Sequence, residues 1–190
     1  MRLAGLLFLS SLAAACSIRE STLEIPLFLT AKPRVYPWRV GVVADSEFTP
    51  YRITFRFRNT TNFTWSLRGL PDAFAKTLSA HFIAVETFET DRNPSTAPYD
   101  LIARMSVDKL QFDGLMTPGE WNTVDLSMRF RLERPDGAEV FGATISQTYD
   151  ARYRQGFGAP RPPPAFDVAF EAVFRQLAKR LVESDIKLDP

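Results

Sequence analysis

The sequence predicts an α+β fold, a two-layer sandwich whose mostly antiparallel sheet carries two amphipathic helices on one face. Three observations lead there. Residues 124–134 alternate without a break, with Val124, Leu126, Met128, Phe130 and Leu132 in one phase and Asp125, Ser127, Arg129, Arg131 and Glu133 in the other. That is the period of a strand with one buried and one wet face. Residues 67–82 and 165–184 instead repeat their apolar side chains every three to four positions, as helices with one buried stripe do. The order is strand, strand, helix, four strands, helix, and laying both helices on the apolar face of the sheet buries all three surfaces at once.

The first sixteen residues are MRLAGLLFLSSLAAAC. Arg2 supplies a positive start, 3–12 is a short apolar run, and the small residues Ala13-Ala14-Ala15 precede Cys16. This is the layout of a signal peptide, and the run is too short to remain as a membrane-spanning helix. The segment resembles the lipobox of bacterial outer-membrane lipoproteins, in which a signal peptidase cuts before a cysteine that carries fatty-acyl chains such as palmitate. The resemblance implies residues 1–15 as signal peptide and Cys16 as the lipidated residue. Ordinary secretion after an A-x-A cleavage site is the alternative. Ser17 is not the Asp associated with inner-membrane retention, so the resemblance implies the periplasmic face of the outer membrane.

Residues 16–37 are expected to form the lipidated cysteine and an extended tether, and 38–190 a single α+β domain. Pro26, Pro33 and Pro37 disfavour a regular helix in the tether. Leu23, Ile25, Leu27 and Leu29 alternate, which allows part of it to pair with a sheet edge. Strands follow at 39–44 and 51–58. In the second, Tyr51, Ile53, Phe55 and Phe57 alternate with Arg52, Thr54, Arg56 and Arg58, giving one apolar and one cationic face. The helix over 67–82 has Pro71 and Asp72 near its start, where a missing amide and a negative charge are both tolerated. Its stripe is Phe74, Leu78 and Phe82. A strand over 83–88 comes next, then a loop over 91–98.

In the strand over 101–112, Leu101, Ala103, Met105 and Val107 share one phase, and Leu110 and Phe112 continue in the other. A single phase change inside one strand predicts a β-bulge near Asp108-Lys109. Pro135-Asp136-Gly137 turns the 124–134 strand into another over 139–149. Residues 152–164 read as a stiff Gly/Pro-rich connector. The final helix buries Phe166, Phe170, Val173, Phe174, Leu177 and Leu181, and pairs Glu171 with Arg175 at i,i+4.

Removing 1–15 takes away one charge, Arg2, and leaves 22 basic and 22 acidic residues. A nucleic-acid binder needs a basic excess to compete for phosphates, so that class is excluded. Sixteen Phe residues predict an aromatic core. The only cysteine is Cys16, so no disulfide or thiol centre is expected. The single histidine, His81, falls at the end of the first helix and is read as a surface or boundary residue. With one His and no second Cys, neither a metal nor a cofactor is expected, and no carboxylate spacing or glycine-rich motif points to catalysis. Arg52, Arg56, Arg129 and Arg131 are the candidate anionic-partner surface, on the assumption that they share the wet face of one sheet. Arginine forks suit phosphate and carboxylate. Asp125 and Glu133 on the same face offer the competing prospect of simple neutralisation.

The lipobox, the first helix, the strands DLIARMSVDKLQF and VDLSMRFRL and the closing helix FDVAFEAVFRQLAKRL together resemble the LptE-like lipopolysaccharide-assembly lipoproteins and other small envelope lipoproteins in element order. The resemblance implies a non-enzymatic, membrane-anchored lipoprotein that assists envelope transport or assembly by binding another envelope protein, with an anionic lipid as a further ligand. The alternative is a lipoprotein that activates a periplasmic cell-wall enzyme. Mass spectrometry of the membrane-extracted protein is expected to show a chain beginning at an acylated Cys16 that partitions into detergent, and Cys16→Ser is expected to lose both properties. An unmodified N-terminus downstream of Cys16 would sink the lipidation reading.

Overall fold

The computed structural model describes residues 19–22, 35–44, 52–57, 61–67, 69–89, 98–114, 119, 121–152 and 164–187. The leader, Cys16, most of the expected tether, Arg58 and residues 90–97 and 153–163 lie outside them. In chain order the elements are β1 (Arg19–Thr22), β2 (Tyr36–Ala44), β3 (Arg52–Phe57), β4 (Thr61–Ser66), α1 (Leu70–Ser79), β5 (Phe82–Glu89), β6 (Leu101–Gly114), β7 (Trp121–Glu133), β8 (Glu139–Arg152) and α2 (Pro164–Glu183). They build a five-stranded sheet in the order β5-β2-β6-β7-β8 and a three-stranded sheet in the order β1-β4-β3.

The meander β6-β7-β8 is antiparallel, as alternation predicts. Gly137, with φ of 90°, closes the β7–β8 turn by donating its N–H to the Arg134 carbonyl at 2.9 Å. Only glycine takes that backbone conformation without cost. The ladder between β6 and β7 shifts register between Val107 and Lys109, which places the predicted bulge at Asp108. Inward residues are thereby apolar on both sides of the shift.

Two features depart from the expected sheet. β2 runs parallel to both β5 and β6, so two of the four ladders are parallel and the sheet is mixed. Connectivity is the reason: α1 lies between β2 and β5 in sequence, and a helical crossover returns the chain in the same direction. Secondly, β3 does not join this sheet. It turns into β4, a strand absent from the sequence expectation, and pairs antiparallel with it, Phe55 opposite Phe63 and Ile53 opposite Trp65. Closing a short hairpin costs less chain entropy than reaching a distant strand. β1, inside the stretch read as tether, adds parallel to β4.

One apolar cluster joins the inward face of the five-stranded sheet to both helices. α1 lies over β5 and β2, α2 lies over β7 and β8, and the helices touch. Phe130 of β7 packs between Phe74 of α1 and Phe174 of α2, with ring centroids 5.3 and 5.8 Å apart. Phe166, Phe170, Val173, Phe174, Leu177 and Leu181 are all buried, as their spacing predicts. The expected ion pair between Glu171 and Arg175 is present. At about 1.5–3 kcal/mol for each large apolar side chain taken out of water, this stripe is the main attachment of α2 to the sheet.

His81 departs from its expected surface position and is 1% exposed. α1 ends at Ser79, short of the predicted 82, and His81 lies in the turn into β5. Its N–H donates to the Leu78 carbonyl, and its own carbonyl accepts the Tyr36 N–H, both at 2.7 Å. That second bond draws the turn against the start of β2. On the opposite face of the sheet, Val43, Phe88 and Ile102 form a smaller buried cluster with Tyr99 against them. Tyr99 comes so close to β2 that a Cβ at Gly41 would lie 2.5 Å from its ring, so glycine is required there.

Phe174→Ala removes the ring that meets Phe130. It is expected to lower stability by about 3–5 kcal/mol, read as a lower urea midpoint with little change in slope. An unchanged midpoint would show that α2 does not depend on this contact.

Candidate functional site

The outward side chains of β6, β7 and β8 form the polar face of the five-stranded sheet. Alternation puts them there, and the bulge at Asp108 decides their detail. Asp108 stands out of register, where its carboxylate accepts the Ser106 hydroxyl at 3.0 Å and pairs with Arg129 at 2.9 Å. Beyond the bulge, Lys109 donates to Asp125 at 3.2 Å. The other oxygen of Asp125 accepts the Thr148 hydroxyl at 2.6 Å. The Ser127 and Ser146 hydroxyls lie 2.9 Å apart. Together Asp108, Lys109, Asp125, Ser127, Ser146 and Thr148 line an open depression of about 420 Å³.

The rest of the face is paired in the same way. Glu133 accepts Arg104 at 3.1 Å through one oxygen and pairs with Arg131 at 3.4 Å through the other. Thr123 donates to Asp150 at 2.6 Å. At the end of the face the Arg152 guanidinium lies 5.1 Å from the centre of the half-exposed Trp121 ring. Exposed pairs of this kind contribute about 0–1 kcal/mol each. Their larger effect is on the field, because every strand carries both signs and the face presents no single-sign patch.

The four candidate arginines are therefore not brought together on one sheet. Arg129 and Arg131 lie on this face beside Asp108 and Glu133. Arg52 and Arg56 belong to β3 in the three-stranded sheet, level with Ser66 and Asn62 of β4. The assumption of one common sheet failed because β3 closes locally onto β4. Cys16 lies outside the described residues. The sequence reading also missed the contact between Arg152 and Trp121. Its only signal was an outward-phase Trp121 one step before the 123–133 alternation, and the partner comes from β8.

Among the described residues no group of three or more His, Cys, Asp or Glu side chains is placed to hold a metal ion. No described helix is long and apolar enough to cross a membrane. The face offers hydroxyl donors and balanced charge.

The Asp125 carboxyl is held below the ordinary aspartate range, first by the Thr148 hydroxyl and then by Lys109. Because the folded state lowers this pKa, the pairing stabilises the fold above the unfolded carboxyl's pKa and is lost as pH falls through the lowered folded value. In an NMR titration Asp125 is expected to protonate below ordinary aspartates, and Thr148→Val is expected to move the midpoint up. A midpoint unaffected by Thr148→Val would show that the hydroxyl does not hold the charge.

No protein-family model matches the chain, and no curated protein does. Among solved structures it is similar to the Xanthomonas campestris protein XCC0632, of family-model DUF330, at 15% identity and a TM-score of 0.49, covering 86% of this chain and 92% of that one. It is similar to PelC of Paraburkholderia phytofirmans, solved as a dodecamer, at 15% identity and a TM-score of 0.47, covering 84% and 94%. It is also similar to a minor lipoprotein of Acinetobacter baumannii at 13% identity and a TM-score of 0.40, covering 83% and 100%. Lipoproteins of Nitrosomonas europaea and Neisseria meningitidis are also among the solved structures to which it is similar.

Proposed function

We propose that this chain is a non-enzymatic lipoprotein, anchored through acyl chains on Cys16 to the periplasmic face of the outer membrane, that docks on another envelope component and assists transport or assembly. The observation that carries the reading is Ala13-Ala14-Ala15-Cys16 directly after a signal-length apolar run. The arrangement of the folded part supports it. The lone histidine is buried in a turn, and the carboxylates of the polar face are engaged with arginine, lysine and hydroxyl partners.

The alternative, an activator that reaches a cell-wall enzyme across the envelope, asks for a long free arm. β1 begins three residues after Cys16 and is paired to β4, which favours a domain kept near its membrane.

The test compares wild type with Cys16→Ser at equal periplasmic levels in cells lacking the native protein. Wild type is expected to restore the envelope barrier, read as resistance to large hydrophobic antibiotics. It is also expected to co-purify with one envelope protein in fixed stoichiometry after gentle detergent extraction. The unanchored form is expected to do neither. Full restoration by Cys16→Ser would overturn the requirement for anchoring.

A further inference from the structure

We infer that the outer edge of β8 is a docking site for an extended, acidic strand of another envelope protein, and that Arg180 is the group that receives it. The inference rests on the docking role proposed above and goes on to name the surface and the chemistry of the partner.

Ladder geometry gives the first argument. β8 is the last strand of the five-stranded sheet, and among the described residues no strand pairs beyond it. At the β7–β8 turn the Arg134 N–H donates to the Ala138 carbonyl at 2.8 Å, so Arg134 turns its backbone groups toward β8. β7 runs on from there without an extra residue, and successive residues of a strand turn their N–H and C=O groups to alternate sides. Arg129 therefore turns its groups toward β6. Thr144, opposite Arg129, makes no ladder bond to β7 and turns its own groups outward. Past Val140, which bulges from the ladder, the register holds as far as Arg152, so Gly142, Ser146, Thr148 and Asp150 share that direction. All of them are exposed. Each adds a donor and an acceptor to an edge that a further strand can extend.

The Arg180 side chain gives the second. α2 packs over β8, and from it Arg180 donates to the Thr144 carbonyl at 3.2 Å. The bond lies where the ladder geometry puts that carbonyl, on the outer side of the strand. An exposed guanidinium thus covers one acceptor of the edge. It holds a neutral group there, although its fork is matched to a carboxylate.

Charge gives the third. On the same helix Arg175 is paired with Glu171 and Lys179 with Glu183. Arg180 has no acidic partner among the described residues, and it is the cation that stands at the edge. An acid on an incoming strand, placed beside Thr144, gains this arginine as its partner and frees the carbonyl for the new ladder. A second copy of this chain is the poorer occupant, because pairing β8 with β8 brings two such arginines to one edge.

The tests use full-length acylated protein in detergent micelles. Ser146→Pro removes an N–H that no strand of the sheet uses, whereas Gln147→Pro removes one that bonds to β7. Ser146→Pro is expected to melt close to wild type and Gln147→Pro to be strongly destabilised or unfolded. Equal losses overturn the assigned edge. Exchange of single amides is then followed by NMR with short peptides that alternate Thr with Glu, or Thr with Lys. The Thr–Glu peptide is expected to slow exchange at Thr144, Ser146 and Thr148 several-fold, and the Thr–Lys peptide to leave it unchanged. Arg180→Glu is expected to reverse that preference. No slowing by either peptide overturns the docking edge, and equal slowing by both overturns the role of Arg180. Slowing that needs no peptide and rises with protein concentration makes a second copy the occupant and overturns the acidic partner. In cells, Ser146→Pro is expected to stay anchored and to lose the envelope protein that wild type retains. Retention by Ser146→Pro overturns the inference and leaves the docking role intact, whereas wild type that retains no envelope protein overturns the docking role itself.

Discussion

Phe130 sits between the two helices, against Phe74 on one side and Phe174 on the other. The two-helix layer depends on that arrangement. β7 is the strand between β6 and β8, and α1 lies over β5 and β2 at the far side of the sheet. A large ring at its centre spans the gap. Rings prefer tilted and edge-on contacts to flat ones, and the 50° and 60° interplanar angles satisfy both helices from a single residue. With the helices fixed to β7, the opposite face of the strand is fixed as well. The positions of Arg129 and Arg131, and the acids they meet, follow from where Phe130 packs.

Much of this was legible because strand period and helix period leave different marks. The unbroken alternation of β7 assigned every one of its residues from Val124 to Glu133 to the correct face. The phase change at Asp108-Lys109 located the bulge, since a buried face tolerates no slip of one residue without an added residue to absorb it. The stripe of α2 was equally clear. What the pattern could not carry was pairing. Val40, Val42 and Val43 look like any β-branched run, and that two neighbours would flank β2 in parallel depends on chain paths around it. With hindsight the run had a signal. Val40 and Val42 are buried on one face and Val43 on the other, and burial on both faces is a mark of parallel strands. β4 was lost among Thr and Asn residues, although Phe63 and Trp65 alternate in register with Phe55 and Ile53. The end of α1 was overrun because Leu78 and Phe82 keep helical spacing across a turn, and that misplaced His81.

The candidate site divides along the same line. The balance of charge on β7 was readable from a single strand, since Asp125 and Glu133 share a phase with Arg129 and Arg131. The separation of Arg52 and Arg56 from them was not, because it depends on which of two sheets β3 joins. On the large sheet the charges meet in close pairs, Arg129 with Asp108 and Arg104 with Glu133 among them.

Tyr36 begins β2 and stacks between Trp38 and Phe82, and its hydroxyl donates to the Ser184 carbonyl just past the end of α2 at 2.8 Å. The first residue of the large sheet is thereby tied to the last turn of the closing helix. This has a mechanical meaning. A pull applied to the chain at Tyr36 runs along the axis of an interior strand flanked by two parallel ladders. Parallel ladders have evenly spaced, slanted hydrogen bonds. Pulled lengthwise, they share the strain across many bonds at once instead of opening one after another from an end. Such a load is taken up in shear, the direction in which a sheet resists force best.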